Sequence, residues 1–256
     1  MGYRRYVAIG DSQTEGLNDG DEASGYGGWA DRLAELLADV EPTVVYANLA
    51  VRGRRAGAVR AEQVEAALVL KPDLVTVMAG MNDLIRPGFD AAEVAGELEA
   101  MFAALSASGA QVVTFTFPDI AKIAPMVRRL RPRLLDFNDR IREAAGKHGV
   151  IVVDTVEHPV TVDPRLWSSD RIHATPLGHA TIAAATAEAL GLPGSGQDWR
   201  LPLPHLARQA GWRRAGRELR WMATFLGPWA WRRLRGRSSG DGRSAKRPAL
   251  LPVRDH

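Results

Sequence analysis

YVAIGDSQTEG, residues Tyr6 to Gly16, decides how the rest of the chain is read. Tyr6 to Ile9 is a short apolar run that stops at Gly10, and an acid and a hydroxyl, Asp11 and Ser12, follow at once. An apolar run of this length, closed by glycine, reads as a buried strand. In open α/β sheets ligands bind beyond the carboxyl ends of the strands. Ser12 is therefore expected at a binding rim.

The same pattern recurs outward from this stretch. Strands are expected at Tyr6–Gly10, Val44–Leu49, Leu74–Met78, Val112–Phe117 and Val150–Asp154. Each is nearly continuous in apolar character, as parallel strands covered on both faces require. Helical spacing fills the gaps. Trp29, Leu33, Leu36, Leu37 and Val40 share one face, and Val94, Leu98, Met101, Phe102 and Leu105 share another. Val64, Ala67 and Leu68 mark a third helix, and further helices are expected over Leu134–Lys147 and Leu177–Leu190. The βαβα order predicts a three-layer α/β/α sandwich around a parallel five-stranded sheet. Ser12, Gly53, Gly80 and Asn82 each follow a strand and should gather at one rim.

Composition narrows the classes. The chain has 256 residues, of which 46% are hydrophobic. That suits one α/β domain of about 200 residues with an appendage. Cysteine is absent, which excludes a disulfide framework, a zinc-thiolate site and a cysteine nucleophile, and fits a reducing cytoplasm. The first residues lack the apolar core and small-residue cleavage site of a signal peptide. No segment approaches the ~18 uninterrupted apolar residues of a membrane span. The expected location is the cytoplasm.

Charge divides the chain in two. After Gln197 there are 14 Lys and Arg against 4 Asp and Glu; taking these from totals of 33 and 30 leaves 19 basic and 26 acidic residues before it. Five of the seven tryptophans lie in the basic part. LGLPGSGQ reads as a helix stop and linker. The expected organisation is a catalytic domain over 1–192, a linker over 193–204, a basic Trp-rich amphipathic helical extension over 205–236 and a disordered basic tail over 237–256. In the extension Trp212, Ala215, Leu219, Met222 and Leu226 recur at helical spacing beside Arg213, Arg217 and Arg220. Packing on the domain and peripheral contact with the inner face of a membrane are both open to such a helix. Nucleic acid is a weaker expectation, because no binding module accompanies the charge.

Four stretches carry chemistry: GDSQTEG at Gly10–Gly16, NLAVRGR at Asn48–Arg54, AGMND at Ala79–Asp83 and SDRIH at Ser169–His173. A serine needs a base to become a nucleophile. Of six histidines only His173 has an acid three residues earlier, Asp170. In a turn that spacing lets the carboxylate hold the near ring nitrogen and leaves the far one for Ser12. The Ser12 N–H, the Gly53 N–H and the Asn82 side-chain amide are candidate donors to a developing oxyanion. Asp11 and Asp83 read as caps near their turns. A hard-cation site from Asp11, Asp83, Asp170 and His173 would leave the serine unexplained, so no metal and no cofactor is expected.

These blocks resemble the SGNH superfamily of GDSL-type esterases and lipases, over a match running from Val7 to Ala189. The resemblance implies a flavodoxin-like sandwich and metal-free hydrolysis of a small-molecule ester. It carries the nucleophile onto Ser12, the remaining catalytic pair onto Asp170 and His173, and the oxyanion hole onto Ser12, Gly53 and Asn82. There are two departures. The first block reads GDSQ where leucine or isoleucine often follows the serine, which implies different local packing around Gln13. In the second, Arg54 and Arg55 follow the glycine where small polar residues are usual, which brings positive charge near the substrate entrance. No G-x-S-x-G elbow surrounds Ser12, which argues against the α/β-hydrolase fold.

The substrate pocket is expected to involve Arg54, Ile120 and Met126 of the Pro118–Arg133 loop, and Trp167. Apolar residues near the rim favour a short- to medium-chain acyl or lysophospholipid-like ester. A carbohydrate O-acetyl esterase or an acyltransferase would use the same site. A membrane-associated scaffold with a degenerate hydrolase fold is the alternative of another class.

Overall fold

The computed structural model describes residues 2–204 and 240–254. In chain order the elements are β1 (Arg5–Gly10), α1 (Ser12–Glu15), β2 (Gly20–Asp21), β3 (Gly25–Tyr26), α2 (Trp29–Val40), β4 (Val45–Asn48), α3 (Ala56–Val69), β5 (Leu74–Met78), α4 (Met81–Leu84) and α5 (Ala91–Ala107). They continue with β6 (Gln111–Phe115), α6 (Ile120–Ile123), α7 (Arg131–Lys147), β7 (Ile151–Val153), α8 (Pro176–Ala189) and β8 (Arg247–Pro252). The main sheet runs β7-β6-β5-β1-β4-β8, and β2 and β3 form a separate small hairpin. β7, β6, β5, β1 and β4 are parallel, in the flavodoxin-like order.

Burial explains why these stretches became strands and helices. All five residues of β5 are buried, as are Tyr6 to Gly10 of β1. α2 packs beside α8, while α3, α5 and α7 pack side by side, giving the two helical layers. Leu33 and Leu37 of α2 are buried in the core, each contributing roughly 2 kcal/mol. Trp29 is fully buried and meets Phe115 edge-on at 4.8 Å. Caps fix the helix starts: Asp90 accepts from the N–H groups of Ala92 and Glu93, and Thr175 from that of Gly178. Such a cap is typically worth ~1 kcal/mol.

Two expectations about the C-terminal part are corrected. Residues 240–254 belong to the fold, and the sheet has six strands. β8 lies antiparallel on the edge of β4, with Tyr46 opposite Leu251 and a bulge before the Asn48–Arg247 pair. Its charge is the physical reason it docks. Asp31, Glu35 and Asp39 recur every fourth residue along α2, an acidic row that repels itself. Lys246 Nζ meets Asp31 at 2.6 Å and the carbonyls of Tyr26 and Gly27, and Arg254 spans Glu35 and Asp39. The stretch 193–204 is not a free linker either. Trp199 Nε1 donates to Glu188 at 2.6 Å, the Trp199 ring meets His158 edge-on, and Arg165 donates to the Pro204 carbonyl. The amphipathic extension expected over 205–236 lies outside the described residues.

Candidate active site

The first strand ends in a glycine for a steric reason. Gly10 has φ +152°, and a Cβ there would lie 2.4 Å from the Met78 carbonyl oxygen and 2.6 Å from Thr14 Oγ1. Its backbone is gripped by the buried Gln63 of α3, which accepts from the Gly10 N–H at 2.8 Å and donates to its carbonyl at 2.9 Å. Asp11 then caps α1 by accepting from the Gln13 N–H, and Ser12 is the first residue of that helix. Sequence reasoning misses Gln63. Its only signal is a glutamine beside the apolar position Val64.

The partner loop precedes α8. Leu166 to Thr175 fold back on themselves: the Thr175 N–H donates to the Leu166 carbonyl, the Ser168 N–H to the His173 carbonyl, and Trp167 bridges Ala174. Asp170 and His173 sit at the tip. Asp170 Oδ2 lies 2.8 Å from His173 Nδ1, while Oδ1 accepts from Ser168 Oγ and the N–H groups of Ile172 and His173. Burial alone would raise the Asp170 carboxyl, but the hydrogen bonds and charge of His173 outweigh it and hold the group well below the usual carboxylate range. His173 Nε2 lies 2.8 Å from Ser12 Oγ. The network assigns the ring proton to Nδ1, facing the carboxylate, and leaves Nε2 to accept from the serine hydroxyl.

The donors come from two further rims. Gly53 has φ +76°, in the left-handed region. Neither its N–H nor that of Ser12 meets an acceptor among the described residues. The Gly53 loop is tied to the serine loop by Glu15, buried with Arg52, whose guanidinium also lies 4.7 Å from the Tyr26 ring centroid. Asn82 Nδ2 donates to Asp11 Oδ2 at 2.9 Å and to the Arg54 carbonyl at 3.0 Å. Both amide hydrogens thus have acceptors, and a bond to a third oxygen must be shared with one of these. Burial pushes the Asp11 carboxyl up to about 6. Asp83 Oδ2 accepts from the Ala56 N–H at the start of α3, so it caps a helix that begins 27 residues earlier and not, as the sequence suggested, its own strand-to-helix turn. His179 is fully buried: Nδ1 accepts from the Trp29 N–H, and Nε2 donates to the Leu17 carbonyl. It joins α8 to the serine loop and lies apart from the reacting groups. Among the described residues no three His, Asp or Glu side chains gather as metal ligands.

A cavity of about 410 Å³ opens beside Ser12, Asn82 and His173. Its walls include Met78, Phe115, Phe117, Ile123, Leu166 and Ile182. Trp167 also lines it, and its Nε1 donates to the Thr161 carbonyl. Arg54 does not line it: its Nε donates to Glu62 of α3 at 2.8 Å. The side chains of Ile120 and Met126 lie outside the described residues.

A flavodoxin-like sheet, a serine opening a helix after β1, and the order of the four blocks are those of SGNH-type ester-bond hydrolases. The chain belongs to the GDSL-like lipase/acylhydrolase family, whose model matches residues 8–181. Solved structures share the fold. LAE5, an α/β hydrolase enzyme from the metagenome of Lake Arreo, is 24% identical, with a TM-score of 0.63 over 75% of this chain and 97% of its own. Axe2, an acetylxylan esterase from Geobacillus stearothermophilus, is 19% identical, with a TM-score of 0.62 over 76% of this chain and 97% of its own. The acetyl xylan esterase AlAXEase is 18% identical, with a TM-score of 0.60 over 73% and 99%. No curated protein matches the sequence. No helix among the described residues is long and apolar enough to cross a membrane.

Proposed function

We propose that the protein is a serine esterase that cleaves short- to medium-chain acyl esters through an acyl-enzyme on Ser12. One observation carries this reading: the hydrogen-bonded file from Ser12 Oγ to His173 to Asp170, 2.8 Å at each step, opening on an apolar cavity. His173 Nε2 takes the hydroxyl proton as Oγ attacks the ester carbonyl carbon. The bond to the alcohol breaks, and the imidazolium returns the proton to the leaving oxygen. Water, deprotonated by the same nitrogen, then releases the acid and restores Ser12. Asp170 holds the ring and stabilises its positive charge. The N–H groups of Ser12 and Gly53 and the Asn82 amide face the oxyanion, each such donor typically giving about 10²–10³ in rate.

The apolar walls support an alkyl acyl group. Each buried methylene contributes about 0.8 kcal/mol, or about fourfold in kcat/KM. The acetylxylan esterases among the structural relatives supply the second reading, an O-acetyl carbohydrate. A series of p-nitrophenyl acetate, butyrate, octanoate and dodecanoate, run beside acetylated xylan, separates the two. A cysteine-free composition fits action in the cytoplasm. The basic Trp-rich stretch 205–236 suits contact with anionic lipid, which flotation of the full chain on anionic vesicles measures. Ser12→Ala is expected to lose about four orders of magnitude or more in kcat. Wild-type turnover of p-nitrophenyl butyrate by that variant would rule the assignment out.

A further inference from the structure

The residue after the nucleophile, where the GDS block departs from its usual apolar neighbour, makes two hydrogen bonds that bracket the base. Gln13 Oε1 accepts from the Ala174 N–H at 3.0 Å, and Gln13 Nε2 donates to the Ile172 carbonyl at 3.4 Å. One bond falls on each side of His173. We propose that Gln13 is a positioning residue that fixes the imidazole over Ser12 by clamping the backbone on both sides of His173. This rests on the serine-esterase reading.

Three features of the loop give the clamp something to do. Ser168 to His173 contain no helix or strand. Arg171 adopts φ +61°, a left-handed conformation that a non-glycine residue holds only when its surroundings impose it. The backbone ties of the loop, Ser168 N–H to the His173 carbonyl and Thr175 N–H to the Leu166 carbonyl, are internal to it or reach the chain just before it, and Asn18, just after α1, donates to Ser168 Oγ at 3.0 Å and to Asp170 Oδ2 at 3.4 Å. The backbone bonds set its shape, and Asn18 holds its Ser168–Asp170 side beside the serine segment. Gln13 holds the His173 side from the residue adjoining Ser12, with one bond to Ile172 and one to Ala174, so the nucleophile and the base are registered to each other across two neighbouring peptide units. The acceptor role towards Ala174 and the donor role towards Ile172 also fix which way the amide faces, since a backbone N–H needs an oxygen and a carbonyl needs an N–H. Leucine or isoleucine at this position would fill a similar volume and make neither bond.

Misplacing a catalytic group by about 1 Å can cost about 10²-fold. Gln13→Leu is therefore expected to lower kcat for p-nitrophenyl butyrate by about ten- to a hundredfold, with KM changed by less than about twofold. Labelling of Ser12 by a fluorophosphonate probe should slow by the same factor as kcat. The low-field proton resonance of the His173–Asp170 bond should broaden or shift. Gln13→Glu keeps the acceptor and loses the donor, so its kcat should lie between the two. In the Ser12→Ala background Gln13→Leu should bring no further loss, because the clamp acts only through the serine and the imidazole. Wild-type kcat and labelling in a folded Gln13→Leu variant would overturn the clamp. So would Gln13→Glu at or below Gln13→Leu, or an additive loss in the Ser12→Ala background. Activity in Ser12→Ala alone would instead remove the esterase reading, so the two failures are distinct.

Discussion

Glu15 accepts three hydrogen bonds from Arg52: its backbone N–H at 2.7 Å and two from the guanidinium, at 2.9 and 2.5 Å. Both side chains are 8% exposed. The pair joins the loop that carries Ser12 to the loop that carries Gly53. Removing one member of a buried ion pair leaves an uncompensated charge and typically costs about 3–5 kcal/mol. Glu15→Gln is expected to fall in that range in chemical denaturation. A Glu15→Leu/Arg52→Met double variant should recover most of the loss. A Glu15→Gln change under about 1 kcal/mol would show that the pair does not hold the two loops together.

Asp11 makes stability depend on pH. Its carboxyl titrates near 6 in the folded protein and at the ordinary, lower carboxylate value when unfolded. The folded state therefore keeps a proton that the unfolded state has released. The resulting stability is complete below the ordinary carboxylate pKa and is lost as pH rises through about 6. The upper bound is about 3 kcal/mol, since each unit of pKa difference is worth about 1.4 kcal/mol. The melting temperature of Asp11→Asn should lack that component of the fall between pH 4 and 7 (roughly one unit either side of the titration range). Parallel curves for the two proteins would place the titration elsewhere.

Asn82 is expected to act on turnover more than on binding. Its amide is oriented by Asp11 and by the Arg54 carbonyl before any substrate arrives. Asn82→Ala should reduce kcat by about 10²–10³ while KM changes little. Equal losses in kcat/KM arising through KM alone would mean that the amide binds the ground state.

The C-terminal strand should contribute to stability. Lys246 is largely buried and donates to Asp31 and to two backbone carbonyls. Lys246→Ala is expected to cost about 2 kcal/mol. Arg254→Ala should cost little and become neutral in high salt, because its pairs with Glu35 and Asp39 are exposed. Thermal denaturation of both variants at low and high salt checks the contrast. Equal losses at both positions would show that burial does not decide which contacts matter.

Much of this was legible in the residues. The strand at Leu74–Met78 matches its expected bounds, and the other four parallel strands fall within two residues of theirs, because buried parallel strands are continuous apolar runs. The spacing of Asp170 and His173 anticipated their contact, since three residues in a turn leave little conformational choice. β8 was not legible. RPALLP carries two prolines and lies in a polar, basic stretch. It pairs only because the edge of β4 and the acidic row on α2 meet it from about 200 residues earlier. Gln63, and the bonds that Gln13 makes, were hidden for a related reason. An amide has no sequence pattern, and its partners are backbone atoms of distant residues.

By itself, then, the sequence determined the order of strands and helices, the rim at which the four blocks emerge, and the family. These depend on local apolar periodicity and on short-range spacing. Only the tertiary structure decided that Ser12 and His173, 161 residues apart, stand 2.8 Å from each other. It alone decided that Glu15 anchors Arg52, that Asn82 is held by Asp11, and that the basic C-terminal residues complete the sheet. Each of these is a directional bond or a charge pairing between distant segments, and its energy exists only once packing has brought both partners to the same place.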